Sequence, residues 1–175
     1  MRRTDFDHVI RAAGAVLGED TVIVIGSQAL LASVDEPPAT VVRSIEVDVV
    51  PADGDEAKAD LIDGSIGEAS MFQESFGVYA QGVGLSTAIL ADGWRDRLVA
   101  YRTPATGGTT ALCLDPVDLV VAKLAAGREK DHEFVTELLR TGLVDLDAVV
   151  GRLRILPIEP DEIDRLRVTA EGLAR

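Results

Sequence analysis

An α/β chain of the α+β kind, in which a mixed sheet with flanking helices is followed by a helical C-terminal part, is predicted on three observations. Thr21-Val22-Ile23-Val24-Ile25 is a continuous β-branched run, the pattern of a strand buried on both faces. Ser44 to Val50 alternates, so that Glu46 and Asp48 share one strand face while Val47 and Val49 take the other. From Pro116 onward the strand patterns stop and capped, amphipathic stretches follow one another. The expected division is an α/β core over residues 1–115 and a helical C-terminal subdomain over 116–175 that completes the site. A chain of 175 residues buries roughly 70% of its unfolded surface, enough to dispense with disulfides or structural metals.

The elements follow in order. Phe6, Val9, Ile10, Ala13, Val16 and Leu17 recur at helical spacing, predicting a first helix over 5–17 that Gly18-Glu19-Asp20 ends. Gly26-Ser27 breaks the strand at 21–25, and Gln28 to Ala32 reads as the start of a helix with Ser27 as its N-cap. Pro37 and Pro38 mark a loop before the strand at 44–50, which Pro51 and Asp53-Gly54-Asp55 close. Asp55 is placed to cap a helix over 56–66. The glycine-punctuated stretch 71–86 is expected to supply strand pieces and a loop facing the active site. Two more strands are expected at 96–101 and 110–114. Asp115 with Pro116 opens a helix running to about 126, and helices follow at 129–140, 145–153 and 160–173.

Composition excludes several classes of function. Cys113 is the only cysteine, so no intramolecular disulfide and no thiolate zinc site can form; within Ala111-Leu112-Cys113-Leu114 it reads as a buried, inert thiol. His8 and His132, without cysteine partners, make a poor zinc set. The N-terminus lacks a long apolar stretch and no run is long enough to cross a bilayer, so a cytoplasmic protein with no membrane association is expected. A net charge of −13 argues against broad, non-specific binding of nucleic acid. Arg95, Arg97 and Arg102 form the densest basic patch and are the best candidates for touching a polynucleotide. Trp94 between Gly93 and Arg95 is read as packing rather than base stacking.

Three pieces carry the candidate chemistry. Gly26-Ser27 joins a buried strand to a helix, and glycine there lets backbone approach a phosphate. Glu46 and Asp48, two residues apart on one strand face and roughly 7 Å apart along the chain, suit a hard divalent cation such as Mg²⁺, or a shared pair of such ions. Lys123 lies inside the apolar helix 116–126 and needs an anionic partner, either a triphosphate or a carboxylate. Gly127 turns a corner after it, and Arg128, Lys130 and Asp131 gather beside that corner. Asp131 pairing with Lys123 or Arg128, and merely fixing the corner, is the structural alternative.

The order Gly26-Ser27, then Glu46-Val47-Asp48, then Lys123-x4-Arg128-x-Lys130-Asp131 resembles minimal nucleotidyltransferases of the AbiEii/MenT toxin type and related uncharacterised bacterial nucleotidyltransferase-like proteins. Gly93-Trp94-Arg95-Asp96-Arg97-Leu98 is a supporting match, and the likeness covers roughly residues 5–145. It implies a nucleotidyltransferase fold in which Gly26 and Ser27 hold the NTP phosphates and Glu46 and Asp48 bind magnesium. Lys123 would contact phosphate, Asp131 would be the downstream catalytic aspartate, and Arg128 and Lys130 would line the NTP-binding pocket. The implied function is a toxin or defence enzyme transferring a nucleotide to an acceptor hydroxyl. The implied acceptor is a tRNA 3′ end, with a protein hydroxyl as the alternative, and a cognate antitoxin is the natural partner in such a toxin–antitoxin system. The first acidic position is normally Asp and here is Glu46, one methylene longer, and no third strand carboxylate is secure. A catalytically degenerate module that binds nucleotide or a partner protein is therefore the competing expectation.

Overall fold

Helical periodicity and local caps place most elements where the sequence puts them in the computed structural model, which describes residues 1–175. Two compact units emerge. The first comprises residues 1–87 and 98–114; the second comprises 88–97 and 115–175.

The first unit is built on a five-stranded mixed sheet. Its strands are β1 (Thr21–Val24), β2 (Glu46–Pro51), β3 (Tyr79–Gly82), β4 (Val99–Tyr101) and β5 (Thr110–Cys113), in the order β3-β2-β1-β5-β4. β1 lies in the middle, antiparallel to β2 and parallel to β5, which explains why Val22, Ile23 and Val24 are all buried. β2 runs parallel to β3, with Glu46 opposite Tyr79 and Asp48 opposite Gln81. Val47 and Val49 are fully buried while Glu46 and Asp48, on the other face, are only half-buried. Helices α1 (Arg3–Leu17) and α2 (Glu56–Ile66) pack against the sheet, α1 through Phe6, Val9, Ile10 and Ala13 and α2 through Ala59 and Ile62. Asp55 caps α2, accepting from Ala57 N–H at 2.9 Å. Cys113 is buried as expected, and desolvation pushes its thiol up to about 12. Asp7 is also buried, and accepts hydrogen bonds from the Tyr101 hydroxyl at 2.8 Å and Thr103 Oγ1 at 3.1 Å.

The second unit is an assembly of four helices, α4 (Pro116–Ala126), α5 (Glu129–Arg140), α6 (Leu146–Leu153) and α7 (Pro160–Leu173), joined by the segment 88–97. Asp115 caps α4, accepting from the N–H groups of Val117 at 3.0 Å and Asp118 at 3.3 Å, with Pro116 in the first turn where its missing N–H costs nothing. Asp145 caps α6 through Ala148 N–H at 3.0 Å. The backbone bond from Asp92 N–H to Ile155 O, at 3.0 Å, ties the 88–97 segment to the end of α6. No helix is long and apolar enough to cross a membrane.

Three local expectations need correction. Residues 27–32 form a 3₁₀ segment rather than an α-helix, and its N-cap is Gly26, so the Ser27 hydroxyl takes no part in capping. Within 71–86 the chain forms a short helix, α3 (Met71–Phe76), before β3. Ser70 caps α3, accepting from Gln73 N–H at 3.2 Å, and Phe72 and Phe76 pack on His8 with ring centroids at 5.1 and 4.1 Å. Six residues are too few to reveal a helical period, and a turn this short relies on its caps and on the aromatic contact with His8. Finally, the strand expected at 96–101 is shortened to β4 because residues 94–97 coil into a 3₁₀ turn.

Replacing Asp115 by Ala leaves two N–H groups at the start of α4 without their acceptor and should lower stability by about 1 kcal/mol. A urea unfolding midpoint that does not move would show that the cap is dispensable.

Candidate functional site

In the sheet unit, β1 ends at Val24 and the chain passes Ile25, whose N–H still donates to Asp48 O at 3.2 Å across the β1–β2 edge. That register carries Gly26 directly against the Asp48 side chain. A Cβ built on Gly26 would overlap the Asp48 carboxylate and would lie only 3.0 Å from Asp48 Cβ. Gly26 has φ −85° and ψ −176°, extended backbone that any residue adopts. Glycine is required here for space: it lets one β2 carboxylate lie on the turn that follows β1. The half-buried Ser27 follows as the first residue of the 3₁₀ segment.

Glu46 is two residues before Asp48 on the same strand face. Its Oε2 accepts a hydrogen bond from the Tyr79 hydroxyl at 2.9 Å, the two residues being directly opposite in the parallel β2–β3 pair. Burial, together with this hydrogen bond and the charges of Glu46, Glu68 and Asp48, pushes the Tyr79 phenol up to about 12, so it remains a donor at any physiological pH. Glu46 N–H donates to Ser44 Oγ at 3.1 Å, and the fully buried Gln28 donates through Nε2 to Ser44 O at 3.1 Å. The backbone leading into β2 is thus anchored as well as the side chain. Nowhere in the chain do three or more ligand-type side chains gather in a metal-binding cluster. The donor set is two carboxylates, which matches Mg²⁺ as it is usually held, by one or two carboxylates with substrate phosphates completing the shell.

The helical unit holds the other sequence-derived residues. Gly127, at φ 65°, ends α4 in the left-handed conformation and donates to Lys123 O at 3.1 Å, which makes the tight corner possible. Asp131, in the first turn of α5, is 1% exposed and receives Lys123 Nζ at 3.0 Å on Oδ1 and Arg128 Nε at 2.6 Å on Oδ2. Burial would raise its carboxyl, but the hydrogen bonds and charges of Arg128 and Lys123 outweigh that and hold it below the usual carboxylate range. Both oxygens are engaged, so Asp131 fixes the corner and neutralises Lys123. Lys130 points into solvent.

A second buried carboxylate in this unit went unrecognised in the sequence. Asp118, 1% exposed on α4, accepts a bidentate pair from Arg97, Nε to Oδ2 at 2.8 Å and Nη2 to Oδ1 at 3.0 Å. Arg152 Nη1 approaches Oδ1 at 2.6 Å as an ion pair without hydrogen-bond alignment. Arg97 Nη2 also donates to Asp92 O at 3.0 Å, within a coil closed by the backbone bonds Trp94 N–H to Ala91 O and Asp96 N–H to Gly93 O. Arg97 is therefore withdrawn from the expected basic patch; Arg95, stacked on Trp94 at 4.7 Å, and Arg102 remain exposed. The signal for Asp118 was present, since it is a charge in an apolar helix just as Lys123 is. Nothing in the sequence revealed Tyr79 or Gln28, whose roles depend on strand register and packing.

The pattern of a family described as nucleotidyltransferase of unknown function (DUF6036) matches residues 5–156. No curated protein and no solved structure matches the chain.

Two outcomes follow from this geometry. Gly26→Ala should cost about 1–3 kcal/mol by overpacking, and most of that should return in the Gly26→Ala, Asp48→Ala double variant; additive losses in urea unfolding would deny the contact. Asp131 has its folded-state carboxyl below the unfolded value of about 3.9, so its stabilisation is present above that value and is lost as pH falls through the folded one. Asp131→Asn should cost roughly 2–3 kcal/mol at pH 7, less than a fully buried pair because Arg128 is largely solvated. The same variant should flatten the fall in stability below about pH 4, and an unchanged acid limb would contradict the assignment.

Proposed function

The chain belongs to this nucleotidyltransferase family, and we propose that it transfers a nucleotide from an NTP to an acceptor hydroxyl with magnesium held by Glu46 and Asp48. The observation that carries this reading is the Gly26 turn lying on the Asp48 carboxylate with Glu46 beside it on the same strand face. Such a surface offers a cation and a triphosphate a joint site: carboxylates for the metal, and the backbone N–H groups of the turn for phosphate. One or two bound Mg²⁺ ions would supply charge neutralisation for the triphosphate and the departing pyrophosphate. In the transfer, the acceptor oxygen forms a bond to the α-phosphorus, the bond to the β-phosphate oxygen breaks, pyrophosphate leaves and the hydroxyl proton passes to solvent. Gly26 and Ser27 hold phosphate through backbone N–H groups in this reading.

For the helical unit, the role we assign to Lys123, Arg128 and Lys130 is contact with phosphate oxygens. Asp131 is a positioning residue for Lys123 and Arg128: a carboxylate held low and occupied on both oxygens is a poor proton acceptor. The finer reading is an AbiEii/MenT-type toxin acting in the cytoplasm on a tRNA 3′ end and restrained by a cognate antitoxin. It rests on the motif order in the sequence. A degenerate module that binds nucleotide without transfer is favoured by one observation, Glu46 at the first acidic position with no third carboxylate gathered around it.

Incubating the protein with each α-labelled NTP, Mg²⁺ and total tRNA separates these readings. Label should move to tRNA with one NTP and fall to background in Asp48→Ala. Binding of Mg²⁺-NTP with no transfer to tRNA or protein would leave the degenerate module, and absence of Mg²⁺-NTP binding would remove both.

A further inference from the structure

The two β2 carboxylates are held by different devices. Asp48 is short and lies against Gly26, where packing limits its orientation. Glu46 has one more rotatable bond and would lose more conformational freedom on taking up a single ligating geometry. It is held by the Tyr79 hydroxyl, which reaches across the β2–β3 pair and donates to Oε2 at 2.9 Å. Tyr79 is 8% exposed and its ring is fixed in the sheet, so the hydroxyl is a rigid anchor for a flexible acid. A phenol has a single proton to donate, which leaves Oε1 free of the Tyr79 bond.

We propose that Tyr79 is a positioning residue for metal binding: its hydroxyl holds Glu46 through Oε2 and presents Oε1 to a divalent cation shared with Asp48. The inference rests on the proposed metal role of the Glu46–Asp48 pair and adds to it the reason a long carboxylate can serve there. Ligating carboxylates are commonly oriented by an outer hydrogen bond, and loss of such a bond typically weakens metal affinity about 10–100-fold. Ser44 Oγ, accepting from Glu46 N–H, and Gln28, donating to Ser44 O, hold the backbone from which Glu46 projects. Tyr79 controls the side chain.

The test uses the full chain and Mn²⁺ as a paramagnetic probe, titrated with and without each NTP and read by the EPR signal of free metal. Tyr79→Phe should weaken Mn²⁺ binding about tenfold or more. In a Glu46→Asp background the same substitution should have no effect, because the shorter carboxylate falls a methylene short of the phenol. A structural contribution of Tyr79 would cost the same in both backgrounds, so an equal loss, or no loss in the wild-type background, overturns the proposal. A wild-type chain that binds no Mn²⁺ even with NTP defeats the carboxylate-pair reading itself and the proposal with it. Folding of the variant is not required for the second measurement. The chain has two tyrosines, Tyr79 and Tyr101, so ¹³C-tyrosine NMR of the wild type resolves them. Saturating Mg²⁺ with NTP should shift the Tyr79 ring signal and leave Tyr101, which donates to Asp7, in place. An unmoved Tyr79 signal under saturation overturns the proposal.

Discussion

The close approach of Gly26 to Asp48 is the contact around which the sheet unit is arranged. β2 lies between β1 and β3, and an interior strand position is costly for a charge unless something receives it. The turn after β1 receives one carboxylate because it has no side chain there, and Tyr79 on β3 receives the other through a hydrogen bond. β1 must therefore end where it does, β2 must hold its register against both neighbours, and Val47 and Val49 must face the helices. A slip of one residue in β2 would bury both acids against α1 and α2 and turn the valines outward.

The helical unit solves a different problem. Asp118 and Asp131 are each almost fully buried, and each is met by two cations. Buried ion pairs of this kind contribute little net stability compared with apolar packing, because desolvation offsets most of the attraction. Their effect is geometric. Asp118 fixes the path of the 88–97 segment through Arg97, and Asp131 fixes the Gly127 corner through Lys123 and Arg128. With one partner removed, an uncompensated charge remains inside the protein, so the pairs constrain which local arrangements are tolerable.

That use of cations also shapes the surface. The chain carries 17 lysines and arginines against 30 acidic residues, and Arg97, Lys123, Arg128 and Arg152 all face buried carboxylates. The cations left exposed include Arg102 on the sheet unit and Arg95 and Lys130 on the helical unit. A polynucleotide would meet isolated positive positions on an acidic surface, so any recognition of RNA depends on a few local contacts instead of a long-range field.

The sequence by itself determined the α+β class, the strands β1, β2 and β5, and the bounds of α2, α4, α5 and α7. Helix signals are local: Asp55 and Asp115 accept from their own first turns, Gly127 ends its own helix, and apolar spacing within one segment names the buried face. The shared face of Glu46 and Asp48 was legible for the same reason, being a property of a single strand. Tertiary structure decided what depends on segments distant in sequence. Gly26 reads in sequence as a phosphate turn, and the fold adds that it makes room for Asp48. Arg97 reads as a surface cation until Asp118 is placed beside it, and the helix at 71–76 sets Phe72 and Phe76 against the His8 ring. Tyr79 and Glu46 are 33 residues apart and meet only through the β2–β3 register. Periodicity and capping are written in neighbouring residues, whereas register and burial are set by the whole packed core.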